Sequence, residues 1–421
     1  VKYSILTFGC RVNQADSFDR ERVLRACGGE EEPPERADLV VVNTCSVTAA
    51  AEQAARQAIR RIARLNPAAR IVATGCYAMR HPAEVASLPV SSVVAAHGGV
   101  DAAADLLPLL QPSGRRAAGA RRLPMPGPGT LGRTLYLLRV QSGCNEDCAY
   151  CIVPTTRGRS RSVPIAEVLS EVCAAAAAGF REVVLTGVHL GAYGRDLRPS
   201  GSLGQLVRAL AEHPAPVRFR LSAVEPMDAG DVVIETLAGS GRFARQFHLP
   251  LQHASDRMLR VMRRPYDLAA YRRVVDRLRL RFPDASIGSD FIVGFPGETE
   301  EDFEACAAYL AASPLTYAHV FPFSPRPGTS AAAMPGRPRA ADVGRRVGCL
   351  RELAREKGRR FRAGFIGRVL EGITIGDGSL VLTDNYLKVR VPGGLTRNLR
   401  VSVRVLAEGE PMTGEVPNME P

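Results

Sequence analysis

Apolar and polar positions along the first hundred residues fall into a repeated unit. Lys2 to Thr7 alternates as a strand does, and after Gly9-Cys10 the stretch from about Asp16 to Cys27 has helical spacing. Leu39 to Val42 is continuously apolar, as strands buried on both faces of a parallel sheet are, and ends at Asn43-Thr44-Cys45. A helix is expected from about Thr48 to Leu65, then a third strand over Ile71 to Ala73, ending at Thr74-Gly75-Cys76. The cysteines lie 35 and 31 residues apart, which suits successive βα units.

The same alternation resumes in the centre of the chain. Strands are expected at Leu135 to Val140, Glu182 to Thr186, Val217 to Ser222, Gln246 to Leu251, Ser286 to Val293 and Tyr317 to Phe323. Helices such as Ile165 to Ala178 and Glu300 to Ala312 lie between them. Six strand-helix units predict a partial (β/α)6 barrel with its site at the carboxyl ends of the strands. A charged helix runs from about Ala341 to Arg362. From 363 to 406 the period falls to two, with turns at Gly376 to Gly378 and Pro392 to Gly394, which predicts a small antiparallel β-barrel. The chain is thus read as α/β: a parallel α/β domain over 1–110, a Pro/Gly-rich basic linker over 111–133, the partial barrel over 134–361 and the small barrel over 362–421.

Ligands bind where the loops after parallel strands emerge together, so Cys10, Cys45 and Cys76 are expected to converge. The plainer alternative is that they are small buried hydrophobes. A second triplet, Cys144, Cys148 and Cys151, lies in GCNEDCAYC from Gly143 to Cys151, just past the first barrel strand. A 4Fe-4S cluster takes four ligands, and three leave one iron open for a cofactor. Structural zinc is the alternative, although no histidine lies within thirty residues of the triplet. Polar groups gather at the other strand ends. Thr186-Gly187, Ser222, Glu225, Gln252, His253 and Asp290, ahead of GFPGE at Gly294 to Glu298, outline a pocket. His189, His248 and His319 read as hydrogen-bonded structural residues, and Cys27, Cys173, Cys306 and Cys349 as helical core.

Composition adds location and partner. Ten cysteines, no secretory-type apolar region near Val1 and no apolar run long enough to span a bilayer predict a reducing cytoplasm and no membrane. The net charge of +12 suits a polyanionic partner, but the basic residues are arginines save Lys2, Lys357 and Lys388, which a GC-rich genome would also produce. Residues 111–133 hold 5 basic and no acidic residues and 134–361 hold 31 and 24, so the excess lies in the linker and the central domain. The terminal module is neutral, and Tyr386 is its only tyrosine for stacking on a base.

This order of modules resembles the methylthiotransferase family of radical S-adenosylmethionine enzymes over nearly the whole chain. The resemblance rests on FGCRVNQAD at Phe8 to Asp16, NTCSVT at Asn43 to Thr48, RQAIRR at Arg56 to Arg61, GCYA at Gly75 to Ala78 and GCNEDCAYCIVPTTRGRSRS at Gly143 to Ser162. It implies two 4Fe-4S clusters, a radical-generating one on Cys144, Cys148 and Cys151 and an auxiliary one on Cys10, Cys45 and Cys76. It further implies S-adenosylmethionine held near Tyr150, Thr186, Gly187, Ser222, Glu225, Gln252 and Asp290, and a terminal barrel that is the RNA-binding TRAM domain. GCRVNQ, RQAIRR and HVFPFSPRPGT at His319 to Thr329 look like the branch that methylthiolates C2 of N6-threonylcarbamoyladenosine beside the tRNA anticodon, with an electron donor protein and a sulfur donor as further partners. PLQHASDRML at Pro250 to Leu259 is instead similar to the branch that acts on a ribosomal protein. A third branch takes isopentenyladenosine, and a rival reading is a non-catalytic iron-sulfur protein that binds RNA.

Overall fold

In the computed structural model, which describes residues 1–94, 106 and 123–417, the apolar segments of the N-terminal quarter form one parallel sheet. Its strands are β1 (Lys2–Thr7), β2 (Glu30–Glu31), β3 (Leu39–Thr44), β4 (Arg70–Gly75) and β5 (Ser92–Val94), in the order β2-β1-β3-β4-β5. Every residue of β3 is buried, which is why that central strand reads as an unbroken apolar run. Helices α1 (Arg11–Ala26), α2 (Ala49–Leu65) and α3 (Cys76–Arg80) follow β1, β3 and β4. α1 starts at Arg11 and not near Asp16, so Cys10 is its N-cap residue. Its first turns hid their helical character because Asn13 and Asp16 are polar yet fully buried, each bonded to partners on other elements.

Six parallel strands build the open barrel. β6 (Tyr136–Arg139), β9 (Glu182–Thr186) and β10 (Arg218–Leu221) form one half, and β11 (Gln246–His248), β12 (Ser286–Val293) and β13 (Tyr317–Pro322) the other. Isolated bridges Phe219↔Phe243 and Ala223↔His248 join the halves. Between them in sequence, β7 (Gln141–Ser142) and β8 (Arg161–Ser162) pair antiparallel and close the loop that carries the second cysteine triplet. Strand residues alternate in direction. Tyr136, Leu138, Val183, Leu185, Phe219 and Leu221 pack outward into the main core with the helices Ile165–Ala177 and Leu203–Glu212. Arg139, Glu182, Thr186, Arg220, His248, Asp290 and His319 take the opposite, lumen-facing positions. β11 is shorter than expected, because the chain leaves the ladder after His248 and Gln252 turns at a φ of 75°.

α1 belongs to both bodies. Its Phe18 ring sits 5.6 Å from Tyr136 and 6.2 Å from Phe180, inside the barrel's core. After the helix Ala340–Ala363, five strands close a small barrel: β14 (Val369–Ile375), β15 (Leu380–Thr383), β16 (Lys388–Arg390), β17 (Arg400–Ala407) and β18 (Met412–Glu415). It departs from the expected antiparallel barrel in one pair, β16 with β18, which is parallel; β18 lies inside the expected 362–421 but past the strand alternation read over 363–406. β18 buries only Met412 and Gly414, too few positions to show a period. Cys173 and Cys349 are exposed and not core as expected, since they lie on the outer faces of their helices; Cys306 is buried. The expected basic linker lies outside the described residues over 111–122. Among the described residues no helix is long and apolar enough to cross a membrane.

Candidate active site

The loops after β1, β3 and β4 bring Cys10, Cys45 and Cys76 to one edge of the sheet, within electrostatic reach: Cys10 and Cys76 both act on the Cys45 thiol. Buried amides lock the loops together. Asn13 Nδ2 donates to Phe8 O at 2.7 Å and to Thr44 O at 3.1 Å, and Asn43 Nδ2 donates to Asn13 O and to Ser17 Oγ, both at 2.8 Å. Thr44 Oγ1 donates to Thr74 O at 2.6 Å and accepts from the Ala78 amide at 3.2 Å, which ties in the Cys76 loop. Gly9, at a φ of 91°, lies so close to Cys45 that a Cβ there would overlap the Cys45 Sγ. Burial pushes the Cys45 thiol up to about 12 and raises that of Cys76, which Arg157 opposes. Cys10 is exposed.

The second triplet sits on the loop between β7 and β8. Fully buried Gln141 shapes it, donating from Nε2 to Ser142 O, Gly143 O and Ser160 Oγ at 2.8–3.0 Å. The Cys144 amide donates to Gly158 O at 3.1 Å and the Cys151 amide to Cys148 O at 3.0 Å. Arg264 Nη1 is 3.2 Å from Cys148 Sγ and the Val153 amide 3.4 Å from Cys151 Sγ. Burial pushes Cys151 up to about 12. No histidine is near in sequence, but the fold places His189 Nδ1 3.7 Å from Cys144 Sγ. Its Nε2 is held at 2.7 Å by Asp228, so that carboxylate orients the ring.

The other expected contacts divide. Tyr150, Glu225 and Arg264 surround the triplet: the Tyr150 hydroxyl is 3.4 Å from Arg264 Nη1, and Arg264 is ion-paired with Glu225. Burial raises the Glu225 carboxyl, and Arg264 opposes that rise. Thr186 Oγ1 and Ser222 Oγ, at the ends of β9 and β10, are buried and without a hydrogen-bond partner in the protein. Gly187 packs on Gln141 and Leu190, which would have to give by a few tenths of an ångström to admit a Cβ. Gln252 and Asp290 stand in the other half-barrel, joined through their backbones at 2.8 Å. The Asp290 carboxylate is already bonded by His248 and His319. His253 is structural, its Nδ1 accepting from the Ser255 amide at 3.0 Å.

One arginine joins the two triplets. Arg157 ends the helix Val153–Arg157 that follows Cys151, and it reaches Asp16 Oδ2 at 2.8 Å and Asn13 Oδ1 at 3.2 Å on α1. Arg139 pairs with both Asp16 and Asp19. Burial alone would raise the Asp16 carboxyl; Arg157, Arg139 and Arg20 hold it below the usual carboxylate range. On the other flank Arg326, in the loop after β13, is buried against Glu52 and Ser46, next to Cys45.

Residues 138–310 match the model of the radical SAM superfamily, and residues 2–95 that of the uncharacterized protein family UPF0004. The threonylcarbamoyladenosine tRNA methylthiotransferase MtaB of Aquifex aeolicus is 34% identical over 404 residues, spanning 93% of this chain and 97% of that one. Its Thermotoga maritima counterpart is 33% identical over 86% and 84% of the two chains. The ribosomal protein uS12 methylthiotransferase RimO of Roseiflexus castenholzii is 35% identical over 90% and 85%. The chain belongs to the radical S-adenosylmethionine methylthiotransferases. Its fold is shared with the methyltransferase TsrM of Kitasatospora setae, at a TM-score of 0.53 and 18% identity over 79% of this chain and 77% of that one.

Methylthiotransferases carry two 4Fe-4S clusters and use S-adenosylmethionine. The residues present fit those groups. Each site gathers three soft thiols, which suit iron better than they suit water, and the described residues around neither offer a fourth thiol. The unpartnered Thr186 and Ser222 hydroxyls lack only a polar ligand to satisfy them. Asn13, Asp16 and Arg157 lie inside the recognised motifs, yet spacing alone gave them no role. Arg264 and Asp228 had no signal in the sequence, because only the fold brings them to the thiols.

Proposed function

We propose that this methylthiotransferase acts on tRNA, converting N6-threonylcarbamoyladenosine at position 37 of the anticodon loop to its 2-methylthio form in the cytoplasm. Cys144, Cys148 and Cys151 would hold the radical-generating cluster and Cys10, Cys45 and Cys76 the auxiliary one, with an electron donor protein and a sulfur donor as partners. When bound, the clusters and S-adenosylmethionine supply the electron, the hydrogen-abstracting radical, the sulfur and the methyl group. The observation that carries the reading is the joining of the two triplets by Arg157 and Asp16, which fixes the geometry between them. A reaction that removes hydrogen at one centre and delivers sulfur from another needs that fixed relation.

The protein's own contribution is positioning. Arg264 fixes Glu225 and faces Cys148, Asp228 orients His189 against Cys144, and Thr186 and Ser222 present hydroxyls to the cofactor. Gly187, Tyr150, Gln252 and Asp290 complete the proposed cofactor-facing set. The substrate nucleoside is supported by GCRVNQ, RQAIRR and HVFPFSPRPGT and by what the Aquifex and Thermotoga relatives are named for. PLQHASDRML favours a ribosomal-protein substrate as the second reading. Reconstituted enzyme, S-adenosylmethionine, a reductant and tRNA bearing threonylcarbamoyladenosine should yield the 2-methylthio nucleoside. Turnover of a ribosomal protein with none of the tRNA would sink the first reading.

A further inference from the structure

The barrel lumen holds a group of side chains of which only Asp290 belongs to the proposed cofactor-facing set. His248 on β11, Asp290 on β12, and Tyr317 and His319 on β13 stand side by side on three strands. Asp290 Oδ1 is bonded by His248 Nε2 at 3.0 Å and by His319 Nδ1 at 3.2 Å, and the two imidazoles stack with centroids 5.2 Å apart. The Tyr317 hydroxyl lies 3.2 Å from His248 Nδ1 and accepts from Gln246 Nε2 at 2.8 Å. Two residues from other parts of the chain complete the group. Tyr386, in the turn between β15 and β16, lies against two arginines, with Arg220 at 5.0 Å and Arg11 at 5.7 Å from its ring centroid.

The two arginines differ in their partners. Arg220 is fully buried and saturated: it pairs with Glu182 at 2.7 Å and donates to Asp384 O at 3.1 Å and Thr383 O at 3.2 Å. Arg11 follows Cys10 directly, donates from Nη2 to the Tyr386 hydroxyl at 3.1 Å and lies within electrostatic reach of Tyr317. Among the described residues no carboxylate pairs with Arg11. The one carboxylate of the group, Asp290, is engaged through Oδ1 by both imidazoles and forms no ion pair with Arg11. His319 keeps 56% of its side chain exposed and so faces open space.

We propose that Arg11, with the Tyr386 hydroxyl and His319, forms a carboxylate subsite that holds the threonyl carboxylate of the substrate nucleoside. This rests on the substrate reading above. Threonylcarbamoyladenosine carries a carboxylate on its N6 substituent; isopentenyladenosine carries only hydrocarbon there. A guanidinium matches a carboxylate in shape and charge, and a partly desolvated site that expects an anion rejects a substrate lacking one, because its cation is then left unpaired. Arg11 sits where this discrimination would count, next to one thiol site and at the edge of the barrel.

The test uses reconstituted holoenzyme and two forms of one tRNA, with and without the threonylcarbamoyl group at position 37. Arg11→Gln should weaken binding of the modified tRNA by about tenfold or more and leave binding of the unmodified form unchanged. Arg11→Lys should keep most of the preference. Equal weakening of both tRNAs would place Arg11 on RNA phosphates, and an unchanged preference would leave it with no part in recognition; either overturns the subsite alone, provided the wild type methylthiolates the modified tRNA. If the wild type does not, substrate reading and subsite fall together. Iron content reports whether the neighbouring Cys10 site has survived. Should Arg11→Gln lose iron, Tyr386→Phe takes its place and must lower the same preference.

Discussion

Arg157 Nη2 lies 2.8 Å from Asp16 Oδ2, with both side chains buried, and that ion pair joins the loop of one cysteine triplet to the helix capped by the other. Asp16 also holds Arg139, so one carboxylate faces two guanidinium groups in a site closed to water. Asp16→Asn would leave Arg157 without its carboxylate, while Arg139 keeps Asp19 at 3.0 Å. Removing one partner of such a buried pair costs about 3–5 kcal/mol. Thermal unfolding under anaerobic conditions should show the loss, and a double-mutant cycle with Arg157→Gln should give a coupling well above the surface-pair range. Additive losses would mean that the contact does not join the two bodies.

Gly9 packs against Cys45 so closely that any side chain displaces the thiol. Gly9→Ala should therefore lower iron bound to the N-terminal site although every cysteine is intact. Full iron content in this variant would show that the Cys45 loop can move aside.

The two triplets should fail differently. Cys148→Ala should abolish cleavage of S-adenosylmethionine and product together. Cys45→Ala should keep cleavage and lose methylthiolation, as measured by 5'-deoxyadenosine formation beside nucleoside analysis. A Cys45→Ala protein that still makes product would remove the auxiliary site from the mechanism.

Acid stability should depend on Glu182. It is fully buried between Arg218 and Arg220, and although burial alone would raise its carboxyl, Arg220 and Arg218 hold it below the ordinary range. A carboxylate depressed on folding stabilises the native state fully above the unfolded glutamate pKa of about 4.3, and that stabilisation fades as pH falls through the lower folded value. Wild type should exceed Glu182→Gln by about 3–5 kcal/mol near neutrality, with the gap closing in acid. Urea unfolding across that range measures it, and a gap that widened on acidification would contradict the assignment.

Much of this architecture was legible in the sequence because its strands are buried on both faces and end at marked residues. β3 reads as LVVVNT followed by Cys45, and the barrel strands repeat the pattern. Both triplets could be found from spacing and from strand ends. The start of α1 could not, since Asn13 and Asp16 are buried through polar contacts that hydrophobic periodicity ignores. Arg264 and Asp228 were invisible for another reason: each lies more than thirty residues from the thiol or histidine it supports, so only the closed fold defines its role. Arg11 and Arg220 beside the Tyr386 ring had no signal in the sequence, because only the fold brings α1 and β10 to that turn.

The most direct measurement is mass spectrometry of tRNA nucleosides from a strain lacking this gene beside its parent. Loss of 2-methylthio-N6-threonylcarbamoyladenosine, with its unmodified precursor accumulating, is the predicted result. Loss of the isopentenyl counterpart instead, or an unchanged set of tRNA nucleosides beside an unmodified ribosomal protein, would contradict it.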